Sequence, residues 1–363
     1  MATKLHVVQK PLQALFDGFA GSEIVIPSVE TLCPDWPLRK HPDLEFIRDD
    51  FTSWVDRWFK DQRLRKKIED LDAPLFAAMA YPETGRGQLL TLAKFIAWYF
   101  PWDDAIDDGS LSHNLGQLDR YKDETIALVE QCLCSTTPQK SPHPNPAIQS
   151  FWDLGVEIRQ KGTPETNRTL VREQSAFIIS SVQSQKEREL DEPVSVEQYL
   201  KRREDNIAIY PLLALIYYAY RLKLPAQLSP HNNEHMKIMW TELARMGTMG
   251  NDMLSMRREL MHGQFESLVP LLMFHNHIGP QVAMERAARM LHESYNRFNE
   301  AEQLLYREMD SDSLDNTKSY VQACKDLIMC NLHWSYGLQR YMEKGMLQPD
   351  GSVMFSICLS PTD

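Results

Sequence analysis

The chain runs to 363 residues, 43% hydrophobic and 25% charged, enough to bury a sizeable core in one large domain. Its formal net charge of −11 argues against nucleic acid or an anionic membrane surface as the main partner. No apolar run reaches the roughly 18–20 residues of a membrane span, and MATKLHVVQKPLQALF at the start lacks the long apolar region of a signal peptide, so a cytoplasmic protein is expected. The six cysteines match no disulfide or zinc framework and read as reduced core thiols.

Residues 1–43 include the proline-rich PSVETLCPDWPLRKHPDL and read as an irregular segment wrapped around the outside. Helical spacing then takes over, predicting helices at 44–70, from about Arg86 through FPWDD, and at 118–133, 146–161, 167–185, 196–222, 233–262, 266–273, 279–307 and 316–344. The tail, 346–363, reads as irregular. Glycine is scarce, with 15 in all, and alternating strand patterns joined by Asn-Gly or Asp-Gly turns are missing. The expectation is a single all-α domain spanning 1–363.

The segment FPWDDAIDDG carries Asp103, Asp104, Asp107 and Asp108. Asp103 and Asp107 are four apart and share a helix face. Two like charges about 4 Å apart repel by roughly 4 kcal/mol at an effective dielectric of 20. Such a pair is stable when solvated, protonated or bound to cations, and hard oxygen ligands favour magnesium. Alone, the motif also describes a solvated helix end before Gly109. Its setting strengthens it, because it follows the aromatic run Phe95, Trp98, Tyr99, Phe100 and Trp102. Asp49 and Asp50 have no third acid at the right spacing and read as surface charges.

The more specific signal is NDMLSMRRE, which places Asn251, Ser255 and Glu259 at i, i+4 and i+8 on one helical stripe. An amide, a hydroxyl and a carboxylate oxygen form a plausible hard-metal site. The flanking Met246, Met249, Met253 and Met256 point to a buried helix, and Gly247 and Gly250 mark where it could bend.

With both motifs in view, the sequence resembles the microbial class I terpene synthases and, more particularly, the fungal sesquiterpene cyclases, with presilphiperfolanol-type synthases a possible near relative. The resemblance covers about 86–341 and implies a helical bundle around a central apolar cavity. It implies magnesium as cofactor, three ions in all. Asp103 is the main ligand of a pair, Asp107 a further one, and Asn251, Ser255 and Glu259 chelate the third. It makes Arg258, Arg340 and Tyr341 diphosphate contacts. Arg203, with Arg202 next, becomes the diphosphate-sensing arginine, Asn206 the linker, and Ile207 the effector whose backbone faces the cation. Tyr99, Phe100 and Trp334 match pocket aromatics, although each also reads as ordinary core packing.

The implied reaction is ionisation and cyclisation of a prenyl diphosphate, farnesyl diphosphate by analogy of size, to a sesquiterpene hydrocarbon or alcohol. Its partner is a small molecule, with no nucleic acid or membrane, and a homodimer is common among relatives. The alternatives are a chain-elongating prenyltransferase, which would carry a second aspartate-rich motif in place of NDMLSMRRE, and a non-catalytic diphosphate-binding helical protein.

Overall fold

The computed structural model describes residues 10–107, 111, 114–137, 143–187, 193–223, 225–337, 342–343 and 345–359. Along them run α1 (Lys10–Phe16), β1 (Glu23–Ile26), α2 (Val29–Leu32), α3 (Arg48–Trp58), α4 (Gln62–Asp70), α5 (Ala73–Ala80), α6 (Arg86–Asp107), α7 (Leu115–Cys134), α8 (Pro146–Gln149) and α9 (Phe151–Lys161). They are followed by α10 (Pro164–Glu187), α11 (Val196–Asn206), α12 (Ile209–Ala219), α13 (Glu234–Met261), α14 (Leu268–Asn276), α15 (Pro280–Arg307), α16 (Ser311–Gly337) and β2 (Val353–Ser356). The result is a single-domain all-α bundle, with one two-stranded sheet at its edge.

Polar caps set several helix starts. The side chains of Asp61, Asn114, Asn145 and Asn233 each accept a backbone N–H of the first turn. At α11, Ser195 and Gln198 cap one another reciprocally. The apolar helix α12, IYPLLALIYYA, is buried along nearly its whole length and packs against α6, α10, α13 and α16. It is therefore the wedge between the helix that carries the first acidic motif and the helix that carries the second. Helix α6 is fixed by stacked rings: Trp98 lies on Trp102, Trp102 lies on Tyr121, and the Trp102 Nε1–H donates to Thr125 Oγ1 at 3.1 Å.

Several expectations need correction. The termini are not wholly irregular: α1, β1 and α2 form in the first segment, and β2 in the tail pairs antiparallel with β1, Ile24 opposite Phe355. The wrapping is nonetheless real. The Tyr295 hydroxyl donates to Asp35, Trp36 Nε1–H donates to Asn299, and Arg39 Nε–H donates to the buried Asp326 at 2.9 Å. Helix α5 (APLFAAMA) went unpredicted because it is buried on every side and shows no amphipathic period. The stretch 44–70 is interrupted between α3 and α4, and 146–161 is interrupted at Ser150. Of the six cysteines, all free, Cys134 and Cys358 are exposed, so only four are core thiols.

The largest departure lies within 196–222. There the helix stops at Asn206 and restarts at Ile209, with Ala208 in the left-handed region at φ +63°. A side chain with a Cβ costs roughly 1–2 kcal/mol in that conformation, so the break is imposed by packing rather than by local preference. Conversely, α13 does not break at its glycines. A Cβ at Gly247 would meet Ile209 Cγ1 at 2.8 Å, and one at Gly250 would collide with the Leu332 side chain. The glycines admit α12 and α16 close to α13 instead of bending it.

Candidate functional site

The NDMLSMRRE stripe lies in the C-terminal half of α13, and the four methionines around it are buried, as expected. The Ser255 hydroxyl sits 2.7 Å from the Asn251 main-chain oxygen and 2.7 Å from Glu259 Oε1, so its single proton serves one of them at a time. Burial pushes the Glu259 carboxyl well above the usual carboxylate range, with the field of Asp252 adding to it, while Ser255, Arg203 and Arg258 pull it back. A carboxylate that resists ionisation until a cation faces it, beside an amide and a hydroxyl oxygen on the same face, fits a hard divalent cation.

Arg203 on α11 is bonded to this stripe and lies within the field of Asp103 of the first motif. Its Nη1–H donates to Asn206 Oδ1 at 2.9 Å, and its Nη2–H donates to Asn251 Oδ1 at 3.2 Å. Asn206 in turn donates to Ser184 Oγ on α10 at 2.7 Å. Burial opposes the charge on Arg203, and the electrostatics of Tyr199, Asp252, Glu259 and Asp103 overcome that, holding the guanidinium above its ordinary value. Asp103 on α6 and Glu259 on α13 thus both contribute to the field at the Arg203 guanidinium. Arg203 Nε is buried without a partner.

The neighbouring Arg202 is engaged elsewhere: it pairs with Glu266, and its guanidinium lies 5.7 Å from the centre of the Tyr199 ring. Ile207 ends α11 with its N–H bonded to the Arg203 carbonyl at 3.0 Å, one residue before the left-handed Ala208. Asp104 is paired with Lys67 on α4 at 2.9 Å. Helix α6 runs to Asp107, whose side chain, like Arg340 and Tyr341 altogether, lies outside the described residues. Among the described residues, no three His, Cys, Asp or Glu side chains converge into a ready metal cluster.

The aromatic residues have structural duties. Tyr99 donates its hydroxyl to Gln174 Oε1 at 2.7 Å and packs edge-on against Phe95 and Phe177. Trp334 donates its Nε1–H to the Leu71 carbonyl at 2.9 Å and meets Phe76 edge-on. Phe100 is partly buried against the core. Two clefts, of about 340 and 840 Å³, flank α10. One is lined by Thr163, Glu165 and Tyr217, the other by Ile179, Gln198 and Arg202, and no residue of either oxygen motif lines them.

Sequence spacing missed Tyr199 and Asp252. Asp252 is 1% exposed and reaches into the packing between α11 and α14, while its Oδ1 and Asn251 Oδ1 approach the same Arg203 Nη2. Its Oδ2 accepts from the Tyr199 hydroxyl at 2.7 Å and from the Leu268 N–H at 2.9 Å, and its Oδ1 lies 3.9 Å from Arg203 Nη2. Burial raises its pKa, and Arg203, Tyr199 and the Leu268 N–H counter that. At such a separation an effective dielectric of 20 gives roughly 4 kcal/mol of attraction. The visible signal was only the four-residue spacing of Tyr199 and Arg203, which puts both on one face of α11.

A single-domain helical bundle of this kind, with a partly buried arginine bonded to the second oxygen-bearing stripe, has the architecture of a class I terpenoid synthase. Residues 94–297, more than half of the chain, match the family described as terpene synthase family 2, C-terminal metal binding, and the chain belongs to that family. Terpene cyclase braA of Annulohypoxylon truncatum is 28% identical over 345 residues, covering 93% of this chain and 91% of that protein. Sesquiterpene cyclase hepA of Aspergillus oryzae is 24% identical, covering 92% and 93%. The fold is shared with germacradien-4-ol synthase from Streptomyces citricolor at a TM-score of 0.71 and 17% identity, over 84% of this chain and 97% of that one. The chemistry of the family is cyclisation of a prenyl diphosphate with a divalent metal. Among the described residues, no helix is long and apolar enough to cross a membrane.

Proposed function

We propose that the protein ionises farnesyl diphosphate and cyclises the resulting carbocation to a sesquiterpene hydrocarbon or alcohol, releasing diphosphate. The observation that carries this reading is Arg203: bonded to Asn251 and Asn206, it lies in the field of Asp103 and of Glu259 at once. The likeness to hepA, named a sesquiterpene cyclase, along nearly its whole length supports a fifteen-carbon substrate.

In this reading Asp103 and Asp107 hold two magnesium ions, and Asn251, Ser255 and Glu259 hold a third. Bound there, the ions supply positive charge against the departing diphosphate. Arg203, Arg258, Arg340 and Tyr341 donate hydrogen bonds to its oxygens, strongest as negative charge develops on them. Asn206 passes the position of Arg203 to the helix break, where the Ile207 backbone carbonyl faces the nascent cation.

In the same reading Tyr99, Phe100 and Trp334 would wall the apolar cavity that the family resemblance implies and would stabilise the cation through their ring faces, by about 2 kcal/mol or more where water is excluded. The Tyr99 hydroxyl is held by Gln174 and the Trp334 N–H by Leu71. The walls thus offer the cation π density while their polar ends are occupied, which suits a reaction that a stray nucleophile would quench.

The test is incubation with magnesium and geranyl, farnesyl or geranylgeranyl diphosphate, with mass spectrometry of the extract. A cyclic fifteen-carbon product from farnesyl diphosphate is expected. Incorporation of added isopentenyl diphosphate would overturn cyclisation in favour of chain elongation, and no product from any substrate would overturn catalysis.

A further inference from the structure

Among the buried groups that the reading above leaves without a part, Asp252 and Tyr199 stand closest to its centre. Asp252 is a carboxylate 1% exposed, and Tyr199 is 3% exposed. Interiors hold such acids only where bonds replace the lost water. Here the replacements are few and directed: Asp252 Oδ2 takes both the Tyr199 hydroxyl and the Leu268 N–H, which leaves Oδ1 toward Arg203 Nη2 at 3.9 Å, beyond hydrogen-bond range.

We propose that Tyr199 and Asp252 are positioning residues for Arg203: the tyrosine holds the carboxylate back from the guanidinium, so that Arg203 is aimed without being captured. This rests on the reading of Arg203 as a diphosphate ligand. Tyr199 and Arg203 lie one turn apart on α11, so gripping Tyr199 from α13 sets the roll of α11, and that roll presents Arg203 to Asn251 and Asn206. A direct two-bond ion pair with Asp252 would use the same Nη atoms that a phosphate oxygen needs. The gap lets the field act while the donors stay available. Arg202, paired to Glu266, holds its guanidinium 5.7 Å from the centre of the Tyr199 ring.

The two residues separate cleanly by substitution. Asp252→Asn removes the charge and keeps an acceptor for Tyr199 and Leu268. Tyr199→Phe keeps the charge and frees Oδ2 to close on Arg203. Both are compared with wild type and Arg203→Met by calorimetry of inorganic pyrophosphate binding with magnesium, by KM and kcat for the diphosphate substrate, and by thermal melting.

Each of the two variants is expected to weaken pyrophosphate binding at least tenfold and to raise KM, with melting within a few degrees of wild type. Binding and KM within twofold of wild type in both would overturn the proposal, as would a loss confined to melting temperature or active fraction. If Asp252→Asn does not fold, Tyr199→Phe, which is nearly isosteric, decides. If Arg203→Met itself binds pyrophosphate like wild type, the reading of Arg203 falls and this inference with it. If Arg203→Met loses binding while the other two keep it, only the inference is overturned.

Discussion

The Ser255 hydroxyl lies 2.7 Å from Glu259 Oε1, one helical turn along α13, with Asn251 one turn before. This places three different oxygen types in one line on a buried helix. Removing the carboxylate charge in Glu259→Gln is expected to lower turnover by on the order of a hundredfold or more, and Ser255→Ala by roughly ten- to a hundredfold. Helicity by circular dichroism should be unchanged in both. Wild-type turnover in Glu259→Gln would remove the second motif from the mechanism.

Gly250 stands beside the stripe because α16 passes so close to α13. A methyl group there collides with the Leu332 side chain, and overpacking of this kind costs about 1–3 kcal/mol. Gly250→Ala should melt measurably lower than wild type and should also lose activity, since the displaced backbone carries Asn251. A melting temperature above wild type would show that Leu332 yields without strain, leaving only the roughly 1 kcal/mol that alanine gains over glycine inside a helix.

Ala208, at φ +63°, occupies the break between α11 and α12. Glycine removes the left-handed penalty but adds freedom to the unfolded chain, so Ala208→Gly is expected to be neutral or stabilising, by up to about 1 kcal/mol. An alanine-to-glycine change inside a helix costs about 1 kcal/mol instead. Denaturant unfolding distinguishes the two. Clear destabilisation by Ala208→Gly would contradict the strained backbone.

Glu173 on α10 titrates at about 7 against an ordinary 4.5, because burial penalises its charge. Its folded pKa lies above the unfolded one, so the folded protein holds the proton longer. Its contribution is greatest below pH 4.5 and is lost as pH rises through about 7. His231, 3.0 Å away, is pushed the other way by burial and opposes this trend in the wild type. Glu173→Gln leaves His231 in place, so the difference isolates the carboxyl. The variant should be the more stable by as much as about 3 kcal/mol at pH 8 and show little difference near pH 4. Melting curves across that range check it. An equal gain at both pH values would rule out titration as the cause.

Helical spacing made α6 and α13 legible, because oxygen-bearing residues four apart announce a shared face whatever the rest of the fold does. Packing between helices was not legible in the same way. Helix α5 is apolar all round, so no period marked it, and strand β1 is four residues long with a partner that lies at the far end of the chain. The break at Ala208 had no glycine to signal it. Arg203 could be chosen by resemblance, but its link to Asn251 and its distance from Asp252 depend on how α11 rolls against α13. Tyr199 and Asp252 gave no spacing signal together, since a hydrogen bond between two helices leaves no period in either.

The pairing of Glu23–Ile26 with Val353–Ser356 has a practical corollary. Ile24 and Ile26 are covered from the far end of the sequence by Val353 and Phe355, all four buried. Trimming a dozen residues from the carboxyl side would strip that cover and leave a lone edge strand against α15, a sticky surface rather than a neat stump. Affinity tags and fusions belong beyond the last strand, never in place of it.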